Sequence, residues 1–172
     1  MNSVFKIIQK RYSVRKYKPD PVPEEKLKKV LEAARLAPSA HNAQAFKFVV
    51  VKDKEKRRQL ARAALNQSFI AEAPIVIIAV ALEPEQIMSS DVPAYAVDLA
   101  IAMSHLVLAA TEEGLGTCFI GAFSQEKVKE ILEIPPQFKV VVLTPLGFSA
   151  QKPSGKLRKK LEEIVCFDKF KE

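Results

Sequence analysis

Residues 95–113, YAVDLAIAMSHLVLAATEE, form the stretch that decides the architecture of this chain. It is the longest helical candidate in the sequence, and apolar side chains surround it almost completely. A helix with so little polar face must be covered on most of its sides. The sequence therefore predicts that this helix is either the centre of the fold or part of a subunit interface.

Shorter elements alternate on both sides of this helix. Aromatic and β-branched runs predict strands at 46–51, 75–81, 117–120 and 139–144. Apolar spacing predicts helices at 4–8, from 27 to an end marked by Pro38, at 54–65, and at 124–133 with Ser124 as N-cap. The tail from Lys156 is predicted to begin as a helix and to end extended at 164–167. The order predicts an α+β fold with about four strands.

The size and charge of the chain narrow its class. A chain of 172 residues buries roughly 70% of its unfolded surface, which is enough for one core. We therefore expect a single domain over residues 1–172. With 27 Lys and Arg against 20 Asp and Glu, the net charge of +7 favours an anionic ligand or partner. Two Cys and two His are too few clustered ligands for a zinc or iron–sulfur site, so redox chemistry would need an organic cofactor.

No stretch of the sequence has the pattern of a membrane span or a signal peptide. The longest apolar run, at 73–82, has ten residues, whereas a spanning helix needs about 20. The first residues, MNSVFKIIQKRYS, contain no apolar stretch of signal-peptide length. We expect a cytoplasmic protein with two reduced cysteines and no membrane partner.

A basic segment follows the first predicted helix. In an extended chain, Arg11, Ser13 and Arg15 point to one side, with Tyr12 and Val14 between them. Two guanidiniums and a hydroxyl suit a phosphate dianion. A solvated basic surface explains the same pattern.

The segment PSAHNAQ at 38–44 lies between a helix end and a strand. Its small and amide residues include Pro38, Ser39, Ala40 and Asn42, which can hydrogen-bond a ligand. They equally suit a satisfied turn and helix cap. His41 is more typical of a surface or capped histidine than of a catalyst.

Three of the five glycines fall within GLGTCFIGAF at 114–123. A dinucleotide fingerprint is excluded because Phe119 stands where a glycine is needed and because the segment leads from a helix into a strand. Gly114 is predicted to cap the long helix. Gly121 and Ala122 would let backbone amides approach a planar ligand closely.

The last basic run is Lys152, Lys156, Arg158, Lys159 and Lys160. It is compatible with a solvated face, and a nucleic-acid patch is disfavoured because no aromatic residues interleave it. Neither a nucleophile elbow nor a Cys–His pair occurs. Cys118 and Cys166 lie in apolar, strand-like contexts, which predicts inert buried thiols.

Taken in order, four strings resemble the nitroreductase family of flavin-dependent oxidoreductases. They are RYSVRKY with KPDPVPEEKL at 11–27, EAARLAPSAHNAQ at 32–44, DLAIAMSHLVLAATEEGLGTCFIGAF at 98–123, and PLGFSAQKP with KLRKKLEEIV at 145–165. The resemblance implies an α+β sandwich with a mixed, mostly antiparallel sheet and flanking helices. It also implies an intertwined homodimer with FMN at the subunit interface. The tail at 156–172 would wrap onto the partner subunit, where 164–167 would add a strand.

The resemblance also assigns roles to the polar segments. Arg11, Ser13, Lys156 and Arg158 match contacts to the flavin phosphate, and Tyr12, between the first two, is also assigned to the cofactor-binding residues. Arg15 matches the position that reaches the ribityl chain and the N1/O2 edge of the flavin, where positive charge stabilises the anionic reduced form. Three further groups of cofactor contacts follow: Pro38, Ser39, Ala40 and Asn42, usually from the opposite subunit; Gln67 near the ribityl chain or pyrimidine; and Gly121 with Ala122 beside N5.

The activity implied is ping-pong hydride transfer. NAD(P)H would give hydride to flavin N5, and a nitroaromatic, quinone or similar small-molecule acceptor would then take two electrons. No protein acid or base is required, since water can supply protons. Two departures from the family are Gln44-Ala45-Phe46 in place of Gln-Pro-Trp, and a short segment at 83–94, which leaves the acceptor open. The alternatives are another chemistry of the same flavin superfamily, or a non-catalytic basic module for nucleic acid or an acidic partner.

Overall fold

The computed structural model describes residues 3–153, 155 and 157–171. Within them the chain forms six α-helices and four β-strands. The helices are α1 (Val4–Lys10), α2 (Glu24–Arg35), α3 (Lys54–Ala63), α4 (Phe69–Glu72), α5 (Ala94–Glu112) and α6 (Gln125–Leu132). The strands are β1 (Phe46–Val51), β2 (Ile75–Ala81), β3 (Gly116–Thr117) and β4 (Lys139–Gly147).

The four strands form one antiparallel sheet in the order β1-β2-β4-β3. β2 lies in the interior of the sheet, and every residue in it is buried, as its unbroken apolar run requires. A parallel bridge between Ser13 and Thr117 adds the N-terminal segment beside β3. The predicted α+β class with a mixed, mostly antiparallel sheet is confirmed.

Helices cover both faces of the sheet. Side chains that alternate along β2 enter two separate cores, because successive residues of a strand point to opposite faces. Ile77 and Ala79 pack in the core that contains residues of α2 and α5. Ile78 and Val80 pack in the core that contains residues of α3, α4 and α6.

Helix α5 is covered on one side only. Leu99, Met103 and Leu106 are almost fully buried against the sheet and α2. The opposite side is an open groove of about 490 Å³ lined by Ala96, Val97, Ala100, Ile101, Ser104 and His105. Among described residues, this is the one helix whose length and apolar composition match a membrane span, and 44% of that window is buried inside the fold. A core helix of a soluble protein meets the same criterion.

The predicted helix ends are confirmed at two positions. Gly114 has φ of 76°, and the N–H groups of Gly114 and Leu115 donate to Thr111 and Ala110 carbonyls at 3.2 and 2.8 Å. This is the glycine C-cap that a left-handed residue allows. The Ser124 hydroxyl accepts from the Lys127 N–H at 3.3 Å and caps α6.

Several predicted boundaries are wrong. Helix α3 ends at Ala63, before Leu65 and Asn66, whose φ angles are 56° and 58°. The short helix α4 is not predicted by the apolar spacing. Strand β3 stops at Thr117, and only an isolated bridge from Ile120 to Leu143 continues the pairing.

The predicted helix at the start of the tail is also wrong. Residues 157–160 are irregular, and a 3₁₀ turn at Leu161–Glu163 follows. Every described residue from 157 to 171 is exposed, including Phe167 at 79% and Phe170 at 83%. Cys166 is therefore an exposed thiol, contrary to prediction, whereas Cys118 is buried. The reason is that residues 157–171 are not buried against the rest of the described chain, and short helices need packing to be stable.

Candidate cofactor-binding site

The segment at 11–15 is fixed by its pairing with β3. The Val14 N–H donates to the Thr117 carbonyl at 2.8 Å, and the Val14 side chain is fully buried. A β-carbon at Gly116 would lie 2.5 Å from Val14 Cγ2. The absence of a side chain at Gly116 therefore lets the segment approach β3 closely.

Arg11, Ser13 and Arg15 alternate along this segment, and the bridge from Ser13 to Thr117 sets the segment beside the end of β3. Burial raises the pKa of Cys118, the residue after Thr117, while the charges of Arg15 and Arg11 and a hydrogen bond from Ser13 act in the opposite direction. The two guanidiniums and the hydroxyl therefore belong to the segment that lies along the end of β3.

Tyr17 anchors the chain just after the 11–15 segment. Its hydroxyl donates to the Val14 carbonyl at 2.9 Å and to the Pro145 carbonyl at 3.4 Å. Burial raises the pKa of Tyr17 far above its ordinary value. The phenol is therefore a neutral structural donor that joins the basic segment to β4.

Residues 148–150 lie beside residues 16–18, and the C-terminal basic run follows them in the sequence. Arg158 is exposed, and its Nη1 donates to the Leu157 carbonyl at 2.7 Å. Lys156 lies outside the described residues. Arg158 stands seven positions after Gln151, and such a length spans at most about 24 Å when fully extended.

Gln67 and Ala122 meet on the α3–α6 side of the sheet. Gln67 Nε2 donates to the Ala64 carbonyl at 2.9 Å and lies 3.4 Å from the Ala122 carbonyl. Gly121 and Ala122 are both exposed. In the described part of the chain, a β-carbon at Gly121 would have no contact within 4 Å, so there is open space beside this backbone for a flat ligand.

The loop at 38–44 is compact and strained. His41, Asn42 and Gln44 have φ angles of 51°, 55° and 51°, a conformation that is costly for residues with side chains. The Ser39 hydroxyl accepts from the Gln44 N–H at 3.0 Å. Asp98 Oδ1 accepts from the Ala40 N–H, also at 3.0 Å. These bonds hold Pro38, Ser39, Ala40 and Asn42 in one fixed loop.

A cavity lies beside this loop. It has a volume of about 340 Å³ and is lined by Ala40, His41, Gln86, Ile87, Met88, Ser89, Ser90 and Ala94. His41 is exposed and forms one wall. The short segment at 83–94 thus lies next to the loop that the resemblance places beside the flavin.

The two groups of predicted site residues lie toward opposite ends of α5. The loop is bonded to Asp98, near the N-terminal end of the helix. Ser13 is paired with Thr117, which follows its C-terminal end. The helix from Asp98 to Glu112 is about 21 Å long. Within the described chain, the Arg11 segment and the 38–44 loop are therefore separated by most of the length of α5.

The chemistry of the donor set fits a phosphate-bearing cofactor. Arg11, Ser13 and Arg15 offer charged and neutral donors to an anion, and the surface at Gly121 is open to a planar ring. Among the residues that the structure describes, no group of three His, Cys, Asp or Glu could hold a metal ion. The arrangement suits a nucleotide held by its phosphate.

Two supporting features are not predicted by the motifs. Asp98 is 5% exposed and anchors the 38–44 loop, while Ser149 and Gln151 bond to the 11–15 segment. A lone acid in an otherwise apolar helix is a signal that could have identified Asp98, because buried carboxylates need partners. The sequence carries no comparable signal for Ser149 or Gln151.

Comparison with known proteins agrees with this geometry. The sequence model of the nitroreductase family matches residues 8–81 and 61–148. A Bacillus subtilis protein named FMN reductase (NAD(P)H) is 32% identical over 174 residues, covering 89% of this chain and 70% of that protein. The crystal structure of a nitroreductase family protein from Clostridium novyi NT has a TM-score of 0.82 and 38% identity, covering 86% of each chain.

A second solved structure covers nearly the whole molecule. The FMN-dependent nitroreductase from Clostridium difficile R20291 has a TM-score of 0.86 and 30% identity, covering 96% of this chain and 99% of that one. The family match extends over most of the sequence, and the strings at 11–27, 32–44 and 98–123 lie within it. This chain belongs to the nitroreductase family.

Proposed function

We propose that this chain is an FMN-dependent NAD(P)H oxidoreductase that reduces a small organic acceptor such as a nitroaromatic, a quinone or an enone. The observation that carries the proposal is the pairing of the basic segment with β3, in which Ser13, between Arg11 and Arg15, bridges Thr117 and the Val14 N–H donates to the Thr117 carbonyl. Family membership supports the same cofactor, since relatives are named FMN reductase and FMN-dependent nitroreductase.

Each group of site residues binds a different part of FMN. Arg11 and Ser13, with Lys156 and Arg158 from the tail, hold the phosphate of FMN. Arg15 faces the ribityl chain and the N1/O2 edge, where a positive charge stabilises the reduced cofactor. Gln67 binds near the ribityl chain or pyrimidine, and Gly121 with Ala122 line the N5 side. Pro38, Ser39, Ala40 and Asn42 complete the site from the partner subunit.

Bound FMN supplies the hydride transfer from NAD(P)H and, after the nicotinamide has left, to the acceptor. The protein binds and orients the reactants. No side chain of the described site is required as an acid or base, because positioning and charge are sufficient and water supplies protons. The cavity between His41 and residues 86–90 is the acceptor pocket.

The active unit is a homodimer. The exposed face of α5 has small and apolar residues, with Ala96 and Ala100 on the surface, and a second copy covers it. Within one chain, α5 separates the 38–44 loop from Arg11. A partner subunit would bring its own 38–44 loop to Arg11. The single domain spans residues 1–172, and its two free thiols are compatible with the cytoplasm.

The tail packs on the partner along β1. β1 pairs only with β2 among the described residues, so its other edge is open. A groove of about 850 Å³ beside it is lined by the apolar residues Leu31, Phe46, Phe48 and Val50 and by charged ones of both signs, Glu32 among them. The tail offers exposed apolar side chains at Ile164, Val165 and Phe167. Adding these residues as a strand would satisfy the open edge and cover the apolar lining.

The test is to purify the protein and record its visible spectrum. We expect flavin absorbance that is released on denaturation as FMN, with NADH or NADPH oxidised in the presence of a quinone or nitroaromatic. Material that is colourless, does not bind added FMN and retains nucleic acid in a salt-dependent way would contradict the proposal and favour a basic binding module.

A further inference from the structure

Residues 148–151 run antiparallel to the segment that carries the phosphate-binding residues. The Lys18 N–H donates to the Phe148 carbonyl, and the Ala150 N–H donates to the Lys16 carbonyl, each at 2.9 Å. A bridge pairs Tyr17 with Ser149. The chain thus returns from β4 to lie beside its own N-terminal segment, immediately before the basic tail.

Three side chains reinforce this pairing. The Tyr12 hydroxyl donates to Ser149 Oγ at 2.9 Å and lies 3.1 Å from the Gln151 carbonyl. Ser149 Oγ donates to that same carbonyl at 2.9 Å and accepts from the Gln151 N–H at 3.1 Å. Gln151 Oε1 accepts from the Arg15 N–H at 2.8 Å. We call these three residues the Tyr12–Ser149–Gln151 network.

The Tyr12–Ser149–Gln151 network orients the phosphate-binding segment and does not itself bind the phosphate. Tyr12 alternates with Arg11 and Ser13, so in an extended chain its side chain lies on the other side of the segment. Its hydroxyl is already bonded to Ser149. Gln151 holds the backbone of Arg15 directly. None of the three side chains adds charge for a phosphate, yet each fixes the backbone on which the charged residues stand.

The network also sets where the tail begins. Gln151 is followed within seven residues by Lys156 and Arg158, the two tail residues assigned to the same phosphate. The phosphate site therefore draws on both ends of the chain, and the network is the place where those ends are joined by side-chain hydrogen bonds.

We infer that Tyr12, Ser149 and Gln151 are positioning residues that hold the two halves of the phosphate site together. The inference rests on the proposed function, because it specifies how that same site is assembled. The inference concerns binding of the phosphate end of FMN. Binding of the isoalloxazine ring does not depend on the network.

The experiment compares FMN with riboflavin, which lacks the phosphate. Apoprotein variants Gln151→Ala and Tyr12→Phe are titrated with each ligand, alongside Arg11→Ala and the matched control Gln137→Ala, which changes an exposed glutamine elsewhere. We expect Gln151→Ala and Tyr12→Phe to weaken FMN binding by about threefold to tenfold, the worth of one hydrogen bond. Riboflavin affinity should stay within about twofold, as for a surface substitution.

A second measurement tests whether the effects of Gln151 and Arg158 on FMN binding depend on each other. If the network positions the tail, the loss from Arg158→Ala should be smaller in the Gln151→Ala background than in the wild type, because the displaced tail no longer delivers its charge. Thermal unfolding of each apoprotein shows whether the variant remains folded. Ser149→Ala replaces Gln151→Ala if the latter does not fold.

The outcomes distinguish the positioning role of the network from the assignment of FMN as cofactor. If Arg11→Ala weakens FMN binding but the network variants bind FMN as the control does, the positioning role is wrong and the cofactor assignment stands. Equal losses of FMN and riboflavin affinity also overturn it, because they indicate a general loosening of the fold. If neither Arg11→Ala nor the network variants affect FMN, the phosphate site itself is wrongly placed.

Discussion

The N–H of Ala40 donates to Asp98 Oδ1 at 3.0 Å, and this bond ties the 38–44 loop to helix α5. Asp98→Ala leaves the loop without its anchor. We expect a loss of about 1–3 kcal/mol in the free energy of unfolding, because a partly buried donor is left unpaired. Urea titration of the apoprotein measures this loss. Asp98→Asn keeps an acceptor oxygen and serves as the matched control; equal losses in both variants would mean that the bond to Ala40 is not the cause.

Arg11→Ala and Arg158→Ala are each expected to weaken FMN binding by about tenfold to a hundredfold. A hydrogen bond to a charged phosphate is worth about 1.5–3 kcal/mol, which gives this range. Fluorescence titration with FMN measures it. Arg11→Lys keeps the charge but loses the bidentate fork, so its affinity should lie between those of wild type and Arg11→Ala. Unchanged affinity in both alanine variants contradicts the assigned roles.

Gly116→Ala is expected to destabilise the fold by about 1–3 kcal/mol through overpacking. The added methyl would lie 2.5 Å from Val14 Cγ2, so the segment at 11–15 must shift. The double variant Gly116→Ala/Val14→Ala should recover part of the loss, since the second change removes the clash. Gly121→Ala is the control for stability, because its β-carbon meets open space within the described residues. Additive losses in the double variant would argue against the clash.

Glu113 links the end of α5 to α2. Its carboxylate lies 2.9 Å from Lys29 Nζ and 3.6 Å from Lys26 Nζ. The hydrogen bond from Lys29, with the charges of both lysines, lowers the pKa of Glu113. A lowered pKa in the folded state adds stability above the unfolded pKa, and this stability is lost as the pH falls through the folded value.

We therefore expect Glu113→Gln to be less stable than wild type at neutral pH. The difference should shrink as the pH falls below about 4.3, the ordinary value for Glu, and at high salt. Urea midpoints measured between pH 3 and pH 8 test this. A difference for Glu113→Gln that is constant across this range would exclude the charge interaction.

Ala100→Glu places a charge on the exposed face of α5. Burying that charge between two helices is costly, so we expect the variant to be a monomer with reduced FMN content. Sedimentation velocity gives the mass, and the visible spectrum gives the FMN content. Gln137→Glu adds the same charge to another exposed position and should remain dimeric. A dimeric, fully loaded Ala100→Glu protein would show that this face is not the interface.

Local sequence patterns predicted the strands and helix caps that depend on the residue types at neighbouring positions. Strands β1 and β2 agree with the predicted ranges to the residue, because aromatic and β-branched side chains favour the pleated strand. The caps at Gly114 and Ser124 follow from backbone freedom and a short hydroxyl side chain. The helix predicted at the start of the tail is wrong, because apolar spacing does not stabilise a short helix that packs on nothing, and residues 157–171 are exposed.

The sequence by itself determined the fold class, the family resemblance and the grouping of Arg11, Ser13 and Arg15 on one side, since alternation along an extended segment needs no long-range information. Only the tertiary structure decided that Gly116 admits Val14, that Asp98 anchors the 38–44 loop, and that Gln151 holds Arg15. Each of these contacts joins residues that are 58 to 136 positions apart or, for Gly116 and Val14, neighbours only through strand pairing. Such pairings depend on how the sheet assembles, and no local pattern encodes them.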